Sequence, residues 1–231
     1  MSNRVALQPA FIMHRRPFRE TSVLLEVFTR YYGRIALVAK GVRAAKSKLR
    51  PILQPFSPLL LSWQGKTELM SLVAAEPMGQ PIFLQGDCLA AGFYLNELIL
   101  SVFQKQDPHP NLFDHYQLTL NQLTQGILDQ TILRLFEKKL LEEAGYGLPF
   151  QQVQADQYYQ FCKETGLAIC DPNGMTDEKI IFSGKNLLAI FAENFTDQAV
   201  LKDSKRLLRF ALAALLGTKT IQSRKLLWEM K

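Results

Sequence analysis

The sequence predicts an α+β chain of two domains, a small five-stranded β-barrel over residues 1–80 and an α-helical domain over residues 81–231. Three observations carry this. The apolar pattern alternates with period two as far as residue 76 and recurs with a period near 3.6 from about Gly86. Five short strand candidates lie within the first 80 residues. These are too few for two good sheets, and closing them into a barrel removes the exposed edges. Charge is divided in a similar way. Residues 1–80 hold twelve Lys and Arg against four Asp and Glu, a net +8, whereas residues 81–200 hold seven against fifteen, a net −8. Residues 201–231 return to eight against two, a net +6.

Each strand has its own signal. In Ser22–Phe28 the residues Val23, Leu25 and Val27 share one face, with Ser22 and Glu26 on the other. Arg34–Lys40 repeats the pattern with Ile35, Leu37 and Ala39 inward. Between them Tyr31-Tyr32-Gly33 suits a hairpin, with the glycine supplying a positive φ. Val5–His14 precedes this pair, and Leu59–Trp63 and Glu68–Ala75 follow it, joined by a turn at Gln64-Gly65-Lys66.

The helices follow. Asp87–Gln104 places Leu89, Phe93, Leu95, Leu98, Ile99 and Val102 on a near-helical repeat, with Asp87 as the expected N-cap. The stretch Asp107-Pro-His-Pro110 breaks the chain before a helix over Asn111–Gln125. In Asp129–Ala144 the buried stripe is Ile132, Leu133, Phe136, Leu140 and Leu141, and Gly145 ends the helix. Residues 148–182 read as an irregular insertion with a small hairpin. Ser183 caps a helix to about Asn194, Gln198–Leu216 forms the last long helix, and Ser223–Met230 a short terminal one.

Composition narrows the function classes. With 48% hydrophobic and 21% charged residues the chain is an ordinary globular one. Three scattered cysteines, Cys88, Cys162 and Cys170, fit a reducing compartment. No signal-peptide pattern opens the sequence, and the apolar run Phe210–Leu216 is far too short to span a bilayer. A cytoplasmic protein is expected. Catalytic signatures are missing: no Gly-rich phosphate loop, HExxH or nucleophile elbow occurs. Glu142 and Glu143 are adjacent, so on a helix they point about 100° apart. The expectation is a protein that binds and does not catalyse, with no cofactor.

Two basic segments carry the binding argument. Phe11–Glu20 holds Arg15, Arg16 and Arg19 in an expected connection between strands. It suits a solvated loop as well as one facing phosphates, which guanidinium groups hold in a bidentate fork. Lys40–Arg50 holds Lys40, Arg43, Lys46, Lys48 and Arg50 with no acid among them. A loop so one-sided repels itself without counter-ions, and a basic stripe on a barrel is the expected footprint of nucleic acid. Arg34 completes the expected DNA-binding set. Among Phe18, Phe28, Tyr31, Tyr32 and Phe56, some are expected to stack on bases and others to fill the core.

The run Ala10–Thr29 resembles the bacterial recombination-mediator family RecO, as do Gly33-Arg34, Val38–Arg43 and Leu53–Phe56. Further along, Gly145-Tyr146-Gly147, Lys205-Arg206 and Ser223–Leu226 continue the resemblance. It implies an N-terminal OB-fold followed by a helical domain. It further implies binding of single- and double-stranded DNA, annealing of complementary strands, and help in loading RecA onto strands coated with single-strand-binding protein (SSB). Implied partners are DNA, RecR, the acidic and hydrophobic SSB tail, and RecA indirectly, near the nucleoid and away from membranes. The resemblance assigns the tail to the helix holding Arg134, Leu135 and Lys138, where an arginine beside an apolar pocket suits a peptide ending in Phe and a carboxylate. Lys205, Arg206 and Arg209 are open to the same role or to DNA. Some family members hold zinc with four cysteines after the Gly-Tyr-Gly segment. Only Cys162 and Cys170 stand there in this chain, so no zinc is expected.

The residues leave other readings open. The barrel would serve an interaction adaptor if it bound RNA or protein, with DNA binding incidental. A nuclease or transferase with an unrecognised site is the remaining one.

Overall fold

The computed structural model describes residues 4–163, 165–172 and 180–229, the side chains of the last three excepted. The chain forms two compact units, Met1–Leu128 with Ile221–Lys231, and Asp129–Thr220. The expected change at residue 80 marks where strands give way to helices, while packing carries the first unit on through two helices and the C-terminal segment.

In the first unit, β1 (Arg4–Phe18), β2 (Ser22–Thr29), β3 (Gly33–Ala39), β4 (Leu59–Gln64) and β5 (Leu69–Pro77) close in the order β1-β2-β3-β5-β4. All neighbours are antiparallel except β3 and β5. This is the five-stranded OB-fold barrel. A single long strand serves two partners: Arg4–Ala10 pairs with β4, and Ala10–Phe18 with β2. Irregularities between Val5 and Gln8 and between Ile12 and His14 bend it around the corner. At the first bend Leu7 takes φ 48°, and its amide donates to Ser62 Oγ at 3.0 Å. Arg15 and Arg16 therefore lie in β1, not in a connecting loop, opposite Leu25 and Leu24 of β2.

Alternation places Ile12, Leu25, Val27, Ile35, Leu37, Leu61 and Trp63 inside the barrel. Phe11 and Phe28 face outward and are nonetheless buried, because α2 (Pro110–Leu123) covers them. Their rings meet Phe113 and Tyr116, with Phe11 5.3 and 5.1 Å from the two and Phe28 5.6 Å from Phe113. Helix α1 (Gly86–Val102) supplies Asn96, whose amide donates to Met13 O at 2.9 Å and whose Oδ1 accepts from Tyr116 Oη at 2.6 Å. This buried bridge ties strand to both helices and satisfies three polar groups at once. Gln85 precedes the helix in place of the expected Asp87 cap. Asp87 sits in the first turn, where the helix dipole favours it. Phe93 lies 40% exposed, off the expected buried stripe, and leans on Phe56. The short α6 (Ser223–Glu229) returns to this unit, and Met230 of its expected span lies outside the described residues. The Glu97 carboxylate accepts from Gln222 N, Ser223 N and Ser223 Oγ at 2.5–2.7 Å, capping that helix.

The second unit holds α3 (Gln130–Glu143), a single 3-10 turn at Phe150–Gln152, β6 (Tyr158–Cys162), β7 (Gly166–Cys170), β8 (Ile181–Ser183), α4 (Gly184–Phe191) and α5 (Gln198–Leu216). The cap predicted at Ser183 forms, its Oγ accepting from Asn186 N, and Asp129 caps α3 by accepting from Thr131 N. The irregular insertion is more ordered than expected, because β8 joins the hairpin in a three-stranded sheet of order β7-β6-β8. Three residues are too few to show period two in sequence. Residues 173–179 of that segment lie outside the described residues. Phe150, Tyr159, Phe182, Leu187, Ile190, Val200 and Leu207 form the unit's core.

Candidate nucleic-acid interface

The basic segment after β3 is amphipathic in its own irregular way. Val42 and Leu53 sink into the barrel core, with Leu49 and Ile52 half-buried against it. The amide of Arg43 donates to Thr21 O at 2.8 Å. These anchors leave Lys40, Arg43, Lys46, Lys48 and Arg50 on the outside. Arg15, Arg16 and Arg19 are exposed at the same end of the barrel.

Four of these side chains, Arg15, Arg16, Arg43 and Arg50, line a recess of about 360 Å³ together with exposed Pro17 and the buried Val23 and Val42. Arg15 donates to Leu53 O at 3.0 Å and Arg43 to Arg19 O at 3.2 Å, so two of the four are already oriented. Arg19 takes φ 54° in the β1–β2 turn and lies over the Phe18 ring at 5.3 Å. Among the described residues no carboxylate is ion-paired with any of these eight cations. Clustered like charge of this kind is relieved by an anion, and forked donors lining one recess suit phosphate oxygens.

Arg34 is turned inward, contrary to expectation. Its guanidinium donates to Leu100 O at 2.6 Å and Phe103 O at 2.5 Å, the last carbonyls of α1, and lies 3.7 Å from Glu26. Burial lowers its pKa and Glu26 raises it in part. A cation at a helix C-terminus satisfies orphan carbonyls and complements the dipole. Arg34 therefore braces the barrel against α1 instead of presenting charge to a ligand.

The cations of α3 are also drawn inward. Arg134 donates to Glu137 at 2.8 Å, and the side chains are only 7% and 2% exposed. Lys138 bonds Phe191 O at 3.1 Å and Glu193 at 2.7 Å. Leu135 is half-buried between them. Arg134 nevertheless reaches the rim of an apolar recess of about 250 Å³ that it shares with Gln130, Gln198, Leu201, Lys202 and Lys205. Arg206 is held by Ile181 O at 2.5 Å and lies 4.7 Å over the Phe182 ring. Cys162 and Cys170 sit on paired strands, and burial raises the Cys170 pKa. Among the described residues no three His, Cys, Asp or Glu side chains are grouped to hold a metal.

Sequence reasoning missed the contacts that fix the other end of the barrel. Arg30 grips Asp114 of α2 with two bonds of 2.8 and 2.7 Å. That hydrogen bond lowers the Asp114 pKa. The two residues are 84 apart, and no local pattern joins them.

Among the described residues no helix is long and apolar enough to cross a membrane. Residues 1–81 match the family model "Recombination protein O N terminal", and residues 84–225 match "Recombination protein O C terminal". A DNA repair protein RecO from Coxiella burnetii (strain RSA 331 / Henzerling II) is 44% identical over 235 residues, spanning 99% of this chain and 100% of that protein. Those of Burkholderia pseudomallei (strain 1710b) and Polynucleobacter necessarius subsp. necessarius (strain STIR1) are each 40% identical. They span 99% and 100% of this chain, and 85% and 98% of their own lengths. A closed five-stranded barrel, a helical region after it and these full-length matches agree: the chain belongs to the RecO family of DNA repair and recombination proteins.

Proposed function

We propose that the chain mediates recombination by binding alone, holding DNA through its phosphates at the basic end of the barrel. The observation that carries this reading is the lining of one recess by Arg15, Arg16, Arg43 and Arg50, with no carboxylate paired to them among the described residues. Lys40, Lys46, Lys48 and Arg19 extend the same field. Contacts to phosphate read no sequence, so single and double strands both bind. Neutralising phosphates lowers the repulsion between complementary strands, and annealing then needs neither nucleotide nor bond chemistry.

Loading of RecA onto SSB-coated strands requires a hold on SSB as well. The apolar recess rimmed by Arg134, Lys202 and Lys205 suits a peptide that ends in an aromatic ring and a carboxylate. Leu135 and Lys138 belong to the same helix but do not line this recess, Lys138 being bonded to Phe191 O and Glu193. RecR is the expected further partner, and a protein acting on DNA in this way works at the nucleoid.

The test is fluorescence anisotropy of a labelled single strand against salt, for wild type and the K40A/R43A/K46A/K48A variant. The reading expects wild type to bind with a steep salt slope and the variant to lose affinity and slope together. Equal binding by the two proteins would overturn it.

A further inference from the structure

The end of the barrel away from the basic segment is aromatic where the other is cationic. The β2–β3 turn carries Tyr31 and Tyr32, 54% and 41% exposed. Together with Trp63, Lys66, Met70 and Gln106 they line a groove of about 350 Å³.

Exposed tyrosines on a turn are ordinarily mobile, but these two are held. Thr29 Oγ1 accepts from Tyr32 N at 3.1 Å and donates to Gly33 O at 2.8 Å, closing the turn. Gly33 has φ 62°, and a Cβ there would lie 2.1 Å from Asp107 O, so the turn is seated against the segment after α1. Tyr32 stands edge-on to the buried Trp63 at 5.3 Å. Arg30, clamped by Asp114, lies 4.7 Å over the Tyr31 ring and bonds its hydroxyl. Two exposed rings thus have fixed positions and little rotamer entropy left to lose on contact with a ligand. Lys66 lies exposed on the groove, while the charge of Arg30 is met by Asp114. That pattern of a flat π-surface with positive charge nearby fits an unpaired nucleobase and its phosphate.

We propose that this groove stacks one or two bases of a single strand whose backbone is held at the basic end. The inference rests on the DNA-binding reading above and deepens it. The seven residues of β3 span roughly 23 Å between the two ends. A strand laid along the barrel would touch both ends within the site sizes typical of OB-folds, about 4–16 nucleotides. Phosphate contacts are common to single and double strands, whereas stacking requires an unpaired base. The basic end therefore supplies affinity, and the aromatic end the preference for single strands.

The test uses the full chain, with a single strand carrying 2-aminopurine and a duplex of the same length. In wild type the 2-aminopurine fluorescence should fall on binding. Y31A/Y32A should lose roughly tenfold or more in single-strand affinity, keep its duplex affinity and salt slope, and restore the fluorescence. Y31F/Y32F should behave as wild type. Unchanged single-strand binding by Y31A/Y32A, or equal loss for both DNA forms, would overturn the inference. So would unchanged DNA binding with loss of a protein partner, which would make the groove a peptide site. Should Y31A/Y32A fail to fold, unquenched 2-aminopurine on wild type overturns it alone. The K40A/R43A/K46A/K48A variant separates the two readings. If it loses binding while Y31A/Y32A does not, stacking fails and phosphate binding stands; if wild type itself does not bind DNA, both fail.

Discussion

Residues 40–50 and residues 134–139 are both rich in Lys and Arg, yet they use that charge in opposite ways. In the barrel segment Val42 and Leu53 anchor the chain, and the cations between them project outward with no carboxylate ion-paired to them among the described residues. On α3 the helical spacing brings Glu137 to Arg134 and Glu143 to Lys139, while Lys138 reaches Glu193. What separates the two sets of cations is therefore the carboxylate supplied by the fold. A charge left without one is available to an anion that arrives from solution.

The sharpest way to break this contrast is to orphan a buried charge. Glu137→Ala leaves the Arg134 guanidinium buried without its partner and should cost about 3–5 kcal/mol, the usual result of breaking a buried pair. Lys139→Ala, in the half-exposed pairs with Glu142 and Glu143 on the same helix, should cost about 1 kcal/mol or less. Chemical denaturation of the two variants checks the difference. If both are equally mild, the buried pair is not the structural element described above.

Next in size is the loss of binding from the basic segment. Removing Lys40, Arg43, Lys46 and Lys48 together should flatten the single-strand salt dependence by about three in log–log slope, at roughly 0.7 per phosphate contact. Arg34→Ala should leave that slope alone and lower the melting temperature instead, because it frees the carbonyls of Leu100 and Phe103. A salt titration and a thermal melt on both proteins would show whether the two kinds of arginine separate.

A smaller effect belongs to the buried bridge of the first unit. Tyr116→Phe removes the donor to Asn96 Oδ1 and should cost about 1–3 kcal/mol. Burial holds the Tyr116 pKa well above its usual value, so the folded state favours the neutral phenol. Its contribution is present below about pH 10, the ordinary tyrosine value, and is lost as pH rises beyond it. Stability measured up the alkaline range should fall for wild type and fall less for Tyr116→Phe.

The smallest effect concerns the Arg30–Asp114 clamp. The guanidinium depresses the Asp114 pKa, so the clamp is fully present above the ordinary carboxylate range, near pH 4, and is lost as pH falls below it. Acidification should loosen the Tyr31 turn while the rest of the barrel stays folded. Asp114→Asn should weaken the acid dependence of the Tyr31 ring resonances, followed by NMR.

Much of the fold was legible because it is written in local periodicity. The alternation of Val23, Leu25 and Val27 and of Ile35, Leu37 and Ala39 put those side chains inside the barrel, and Ser183 caps its helix as read. Legibility failed wherever the partner is distant in sequence. Arg15 and Arg16 read as loop residues because Pro17 and the charge run mask a strand that pairs on one side only beyond Ala10. Arg34 read as a DNA contact because nothing local reveals the carbonyls that claim it. Phe28 and Phe56 could not be told from Tyr31 and Tyr32 as stacking candidates until α2 covered the first, packing on α1 buried the second and the tyrosines stayed exposed.

The sequence by itself determined the barrel-then-helix order, the family, and the concentration of positive charge at the N-terminal domain. These depend on residue type and spacing along the chain, which any sequence displays. Only the tertiary structure decided which cations are spent on internal carbonyls and carboxylates, which four arginines gather around one recess, and which two tyrosines are held exposed. The physical reason is that a charge or a ring acquires its role from the groups within a few ångströms of it, and folding brings those groups from distant positions, as with Glu97 and Ser223, 126 residues apart.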